Sequence, residues 1–283
     1  MEVITRVKEM QHRAEHLRSE GRIIAFVPTM GYLHEGHLSL MREGRKHGDV
    51  LVISIFVNPT QFGPGEDYET YPQDMERDLE LIQAVGGDIV FNPSAGEMYP
   101  PEFQTYVEVE RVTGHLCGVS RPHHFRGVTT VVLKLFNVVR PHMVFFGQKD
   151  YQQWITIKRM VRDLNMDIEI IGLPTVRESD GLAMSSRNAY LNSDERKAAQ
   201  CLYRALLKGQ NLFRQGARRA EIILREVRHV IETEPFVQID YVTIADAHTL
   251  EDIAEIKKEA IIAVAAKIGS ARLIDNIILK EEA

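Results

Sequence analysis

The residues best suited to chemistry are two histidines, His34 and His37, which stand three positions apart in a His-x-Gly-His sequence. Residues 22–27 before them are apolar and β-branched, which predicts a buried strand. Residues 37–47 after them have helical spacing, so the histidines lie where a strand gives way to a helix. If the helix begins near Glu35, the two imidazoles share one face.

Such a junction favours anion binding, because backbone N–H groups are expected to be free there and the helix dipole is positive. Two imidazoles at this place can donate hydrogen bonds to phosphate oxygens as negative charge develops. A turn with incidental polar residues is the alternative, and for an isolated His-x-x-His it is the commoner case. Pro28 is expected to end the strand, because it removes a donor from the ladder. This proline and the two glycines Gly31 and Gly36 favour the functional interpretation.

The composition is that of an ordinary folded chain: 283 residues, 44% hydrophobic, 26% charged and a net charge of −6. This charge does not favour a nucleic-acid partner. The two cysteines, Cys117 and Cys201, have no metal or redox spacing, so we expect a reduced, cytoplasmic protein. No apolar run approaches the ~20 residues of a membrane span, and the charged N-terminus is unlike a secretory signal.

Strand and helix patterns alternate through the first part of the chain, which predicts an α/β fold with a Rossmann-like, doubly wound parallel sheet. After an opening helix at residues 3–20, the patterns predict strands at residues 22–27, 49–57, 88–91, 105–110, 142–146 and 167–171, and helices at residues 74–85, 126–139 and 149–164.

The pattern changes near Pro174. Residues 193–233 are polar and helical, with an interruption at Gly216 that indicates two helices. Three strands follow, which we expect to be antiparallel: residues 237–244, 260–266 and 271–278. We therefore predict a Rossmann-like domain over residues 1–175, which binds the substrates, and a smaller α+β domain over residues 176–283, which closes over the site.

Polar segments follow four of the predicted strands, at residues 30–37, 58–67, 147–150 and 174–178. In open parallel sheets, ligands bind beyond the carboxyl ends of the strands, so these segments predict one pocket.

The segment at residues 147–150 opens a helix. Gly147 permits close approach of the backbone, Lys149 can meet phosphate and Asp150 can accept from ribose hydroxyls. A helix cap with a solvated lysine is an equally good interpretation.

The sequence at residues 184–187 follows an Asp-Gly turn. Its hydroxyls and the guanidinium of Arg187 suit a leaving pyrophosphate, because arginine binds phosphate with a fork of donors. A capped helix start with a surface arginine is the alternative.

Neutral amides at Asn58, Gln61 and Gln153 can orient a polar substrate that carries no phosphate, although turn chemistry accounts equally well for the first two. Residues 63–67, rich in glycine, are expected to act as a lid. Asp78 on the next predicted helix can hold Mg²⁺ on phosphates, with a solvated helix face as the alternative.

A cationic cluster at Arg121, His123 and His124 opens a further helix. Helix capping with solvated charge accounts for it, and a zinc site is less favoured because no cysteine or carboxylate ligands accompany the histidines.

Four motifs occur in order, beginning at Pro28, Phe56, Phe146 and Met184: Pro-Thr-Met-Gly-x-Leu-His-x-Gly-His, Phe-Val-Asn-Pro-x-Gln-Phe, Phe-Gly-x-Lys-Asp-x-x-Gln and Met-Ser-Ser-Arg-Asn. In this combination the chain resembles the pantothenate synthetases over nearly its whole length. These enzymes belong to the nucleotidyl-transferring superfamily, in which two loops bracket ATP. One carries His-x-Gly-His, and the other is of the Lys-Met-Ser-Lys-Ser type, which has the form Met-Ser-Ser-Arg here.

The resemblance implies ATP-dependent condensation of pantoate with β-alanine, through a pantoyl adenylate, with release of AMP and pyrophosphate. It also implies Mg²⁺ and a homodimer paired through the first domain, with no nucleic-acid or membrane partner.

Residue roles are implied in the same way. His37 is the principal catalytic imidazole, His34 its partner, and Lys149 and Arg187 stabilise phosphate charge. Asn58, Gln61 and Gln153 bind substrate, and Asp78 is the metal-side carboxylate. The nucleotide is lined by Met30, Gly31, Tyr32, Leu33, His34, Glu35, Gly36, His37, Gly147, Gln148, Lys149, Asp150, Val176, Met184, Ser185, Ser186 and Arg187. Only His123 departs from the pattern, since glycine is expected at that position.

Two other functions compete with this one. A nucleotidyltransferase acting on a phosphorylated substrate shares the histidine motif, but the neutral amides favour an acid without phosphate. A nucleotide-sensing module predicts ATP binding without turnover.

Overall fold

The structure, a computed structural model, describes residues 1–281, so the last two positions of the predicted second domain lie outside it. The chain forms two compact units. The first unit comprises Met1–Val109, Arg121–Gln148 and Gln153–Pro174. The second comprises Glu110–Ser120, Lys149–Gln152 and the chain from Thr175 onward. The second unit thus takes two short segments from the first part of the sequence.

A parallel sheet forms the centre of the first unit, with strand order β1-β4-β3-β2-β5-β6. The strands are β1 Glu2–Ile4, β2 Ile24–Thr29, β3 Val50–Ile55, β4 Ile89–Phe91, β5 Met143–Gly147 and β6 Glu169–Leu173. The helices between them are α1 Val7–Ser19, α2 Glu35–His47, α3 Met75–Ala84, α4 Ala95–Met98, α5 Cys117–Ser120, α6 His124–Val139 and α7 Tyr151–Asp163, of which α5 lies in the second unit and α7 begins there.

Strand β2 is buried on both faces. Ile24 and Phe26 belong to one apolar cluster, whereas Ala25 and Val27 belong to the cluster on the other side. This continuous burial is what a parallel strand covered by helices on both faces requires. The predicted fold class is confirmed.

The second unit contains an antiparallel sheet of three strands, β7 Val237–Asp246, β8 Ala260–Ile268 and β9 Ala271–Leu279, in the order β7-β8-β9. Its remaining helices are α8 Ser193–Ala199, α9 Cys201–Arg214 and α10 Ala220–Glu232. The antiparallel prediction is confirmed, but the polar region holds three helices rather than two. None of the helices within residues 1–281 is long and apolar enough to cross a membrane.

Three local predictions were wrong. Residues 3 and 4, predicted as the start of the opening helix, belong to the edge strand β1, because residues 2–4 pair with β4 in parallel register. Residues 105–110 form no strand, since the backbone of Val107 is held by the hydroxyls of Thr129 and Thr130 on α6. Pro28, predicted to end the strand, lies inside β2 opposite Ser54. Strand β2 pairs with β5 only at Ala25 and Phe26, so the missing donor at Pro28 costs no bond to β5.

Candidate active site

The carboxylate of Asp78 on α3 binds the backbone of the loop between β2 and α2. One carboxylate oxygen, Oδ2, accepts the N–H of Tyr32 at 2.7 Å, and the other, Oδ1, accepts the N–H of Leu33 at 2.7 Å. Gly31 and Tyr32 both have positive φ, 84° and 50°, which turns consecutive N–H groups toward one anion. Asp78 is only 1% exposed; burial raises its pKa, and the two N–H groups act in the opposite direction.

Helix α2 begins at Glu35, which meets the condition set for the two imidazoles to share one face, and His34 is its N-cap residue. The two imidazole centroids are 4.1 Å apart. Nδ1 of His37 accepts the N–H of His34 at 3.3 Å, and Nδ1 of His34 accepts the N–H of Gly36 at 3.2 Å. A neutral imidazole that accepts at Nδ1 carries its proton on Nε2, so these bonds select the Nε2–H tautomer in both rings.

The expectation that several backbone N–H groups are free at this junction is wrong. Besides the bonds to Asp78 and the imidazoles, the N–H of Gly31 donates to Thr29 Oγ1 at 3.2 Å, and the N–H of His37 donates to His34 O at 2.8 Å. The protein thus uses its own acceptors to fix the loop. The groups suited to phosphate here are therefore the two imidazole Nε2–H donors rather than the backbone.

Asn58 is 1% exposed and bonds within the protein, so the structure gives it a supporting position. Its Oδ1 accepts from Tyr99 Oη at 2.8 Å, and its Nδ2 donates to Gln61 Oε1 at 3.0 Å. Gln61 ends the 3-10 helix Pro59–Gln61, and its Nε2 donates to Met30 Sδ at 3.2 Å. Asn58 therefore orients Gln61 beside the loop that carries the histidines.

The predicted lid is tied to the start of α6. Glu66 accepts two bonds from Arg121, at 2.7 and 2.5 Å, and one from the N–H of Gly63 at 3.2 Å. Burial raises the pKa of Glu66, but Arg121 and the N–H of Gly63 outweigh it, so the pKa is lowered. His124 Nδ1 also lies 2.8 Å from the carbonyl oxygen of Gln61.

His123, expected to be glycine, is the N-cap of α6 and has φ 72°, in the left-handed region that favours glycine. Histidine thus replaces the expected glycine at a position where the backbone conformation is strained for any residue with a side chain.

In the second unit, Lys149 lies in the 3-10 helix Gln148–Asp150, and its Nζ is 3.6 Å from Asp150 Oδ1. Asn276 on β9 donates from Nδ2 to the carbonyl oxygen of Lys149 at 2.8 Å. The backbone that carries this lysine is thereby fixed to the last strand.

Residues 176–184 form a tight hairpin, in which Met184 N–H donates to Val176 O at 3.0 Å. Arg177 binds Asp275 through two bonds of 2.6 and 2.9 Å and lies 3.8 Å over the Tyr203 ring. Asp275 is 3% exposed, and burial raises its pKa while Arg177 lowers it.

The hairpin leads into the 3-10 helix Ser186–Tyr190. Ser185 Oγ caps it by accepting the N–H of Arg187 at 3.3 Å, and Ser186 is buried. Gln153 is half-buried on α7, whereas its neighbour Gln152 is buried and bonds to Cys117, Val112 and His115.

Sequence reasoning missed Asp275 and Asn276, and it placed Arg177 in the polar segment 174–178 without predicting its pairing with Asp275. Two polar residues at adjacent positions inside the mainly apolar strand β9 were the available signal, because buried positions rarely carry polar side chains without partners.

Asp78 does not fit a metal ligand. Both of its oxygens hold the loop, and no group of three or more histidine, cysteine or carboxylate side chains within residues 1–281 is arranged to hold a metal ion.

A parallel α/β sheet with two imidazoles at the β2–α2 junction defines a Rossmann-like protein of the nucleotide-binding type. The family described as pantoate-beta-alanine ligase matches residues 2–278, and the chain belongs to it.

A pantothenate synthetase of Syntrophus aciditrophicus is 57% identical over 282 residues, which are 100% of this chain and 99% of the relative. The crystal structure of the Thermus thermophilus pantothenate synthetase is 44% identical with a TM-score of 0.94, covering 99% of this chain and 100% of that one. The Francisella tularensis pantoate-beta-alanine ligase, solved with beta-gamma ATP and beta-alanine, is 34% identical with a TM-score of 0.81, covering 100% of this chain and 99% of that one. The resemblance of the motifs is confirmed.

Proposed function

We propose that the protein joins pantoate to β-alanine at the expense of ATP, giving pantothenate, AMP and pyrophosphate. The observation that carries this function is the family match over residues 2–278, which includes all four motifs. The enzyme is thus a ligase that forms a carbon–nitrogen bond.

We propose a pantoyl adenylate as the intermediate. A carboxylate oxygen of pantoate attacks the α-phosphorus, and the bond between that phosphorus and the bridging oxygen of pyrophosphate breaks. The amine of β-alanine then attacks the acyl carbon and loses a proton as AMP leaves.

The roles of His34 and His37 rest on their tautomer. Their Nε2–H groups donate to phosphate oxygens, and donors fixed in advance stabilise developing charge without reorganisation. We assign His37 the larger role, since its Nδ1 is fixed by the backbone of the N-cap residue itself.

Lys149 and Arg187 of the second unit supply positive charge to the triphosphate and the leaving pyrophosphate. Each is supported by a held backbone: Asn276 binds the carbonyl oxygen of Lys149, and Ser185 caps the N–H of Arg187.

Gln61 and Gln153 are proposed to bind pantoate, with Asn58 acting through Gln61. The two neutral amides suit the hydroxyl and carboxylate groups of a substrate that carries no phosphate. Residues 63–67 are proposed to cover this side, with the Glu66–Arg121 pair as the closed arrangement.

We propose that Mg²⁺ accompanies ATP, bound mainly through phosphate oxygens and water, which is its usual manner in ATP sites. We also propose a cytoplasmic homodimer. The free cysteines Cys117 and Cys201 suit a reducing compartment, and a mass near twice 32.3 kDa in light scattering would support the dimer.

Exchange of labelled pyrophosphate into ATP tests the function. We expect exchange only when pantoate is present, and AMP release only when β-alanine is added as well. Exchange that proceeds equally without pantoate, or only with a phosphorylated substrate, would instead indicate a nucleotidyltransferase. Binding of ATP with no exchange under any condition would indicate a sensing module.

A further inference from the structure

The structure assigns Asp78 as the positioning residue for the catalytic histidine loop: its carboxylate fixes the turn that presents His34 and His37. This inference rests on the proposed role of those histidines in adenylate formation.

Geometry is the first argument. The two carboxylate oxygens take two consecutive N–H groups, those of Tyr32 and Leu33, each at 2.7 Å. Such short bonds to an ionised acceptor are of the strong, charge-assisted kind. They hold the segment that connects the end of β2 to the first residues of α2.

Strain is the second argument. Tyr32 has φ 50°, which a tyrosine adopts only when its surroundings impose it. Asp78 supplies that constraint. Space is also limited, since a Cβ on Gly31 would lie 3.1 Å from Asp78 Oδ2.

Burial is the third argument. Asp78 is 1% exposed, and a carboxylate withdrawn from water is kept only where it is fully bonded. A metal ligand would instead need an oxygen facing the triphosphate. The carboxylate therefore acts through the loop and does not itself touch substrate.

Asp78→Asn is the test, because it keeps the shape but has one acceptor oxygen for two N–H groups. Asp74→Asn is the matched control: it makes the same change on the same helix, where Asp74 Oδ1 caps the N–H of Arg77 and makes no bond to the loop. Both variants are measured by pantoate-dependent pyrophosphate exchange, thermal unfolding and Mg²⁺ titration. The imidazole nitrogen resonances of His34 and His37 are followed without ligands.

We expect kcat of exchange to fall at least tenfold in Asp78→Asn, with less than a twofold change in the Mg²⁺ concentration for half-maximal rate. The histidine resonances should lose the signature of a single Nε2–H tautomer. The control should change kcat less than twofold. Asp78→Glu, which restores two acceptors, should recover part of the rate.

Rescue of Asp78→Asn by excess Mg²⁺ would overturn the inference and make Asp78 a metal ligand. Unchanged kcat and resonances with lowered thermal stability would overturn it in favour of a purely structural role. A His37→Ala variant separates the two proposals. If His37→Ala retains full exchange activity, the proposed histidine role fails. If His37→Ala loses exchange activity while Asp78→Asn keeps it, only the positioning role of Asp78 is refuted.

Discussion

The buried pair Arg177–Asp275 allows a quantitative test of how the second unit is held. Replacing Arg177 by Met keeps much of the contact with Tyr203 but leaves the Asp275 carboxylate, 3% exposed, without its cation. Breaking one side of a buried pair costs about 3–5 kcal/mol. Asp275→Leu should cost less, roughly 2–3 kcal/mol, because the side chain of Arg177 keeps 17% of its surface in water.

A double-mutant cycle measured by urea unfolding separates the pair from its surroundings. With both residues apolar, no uncompensated charge remains, so the double variant should be more stable than Arg177→Met, with a coupling free energy of at least ~2 kcal/mol. Simple additivity of the two single changes would refute the reasoning, as would a loss below ~1 kcal/mol in Arg177→Met.

The same variant has a pH signature. Burial already raises the pKa of Asp275 against the pull of Arg177, the N–H of Asn276 and the charge of Lys149, so removing Arg177 moves this pKa further above the value in the unfolded chain. The stability deficit of Arg177→Met should therefore be largest above that raised pKa and shrink as the pH falls through it. Asp275→Leu has no such group, so its deficit should not follow this course.

Three further outcomes are expected. His37→Ala should lower kcat of pyrophosphate exchange at least ~30-fold, about 2 kcal/mol, with the exposed His12→Ala as control; a change in substrate affinity alone would contradict the role. His123→Gly should stabilise the protein to urea by about 1 kcal/mol, because it relieves a positive φ; a loss of stability would show that the side chain is needed. The stability that Glu66 provides should be present above its pKa in the unfolded chain and be lost as pH falls through its lowered pKa in the folded state. Hydrogen exchange of residues 63–67 in the wild type and in Glu66→Gln should therefore become equal in acid. A difference in exchange that stays constant with pH would refute this.

The sequence was sufficient for the parallel sheet and the start of α2, because periodicity and a strand-to-helix junction are local signals. It failed at residues 3 and 4, which were predicted helical but form part of a three-residue strand by pairing with β4. It also gave no sign of the two bonds that Asp78 accepts, because its partners Tyr32 and Leu33 stand more than forty positions away and contribute backbone groups, which no residue type reveals. The support that Asn58 gives to Gln61, three positions on, was within reach of the sequence, but its bond from Tyr99, forty-one positions away, was not.

The bond from Asn276 to the carbonyl oxygen of Lys149 joins positions separated by 127 residues. A ribosome therefore finishes most of the chain before the partner of Lys149 exists, and the neighbouring Asp275 reaches Arg177 equally late. The proposed phosphate-binding segments of the second unit should thus gain their final form only after the last strand has been synthesised.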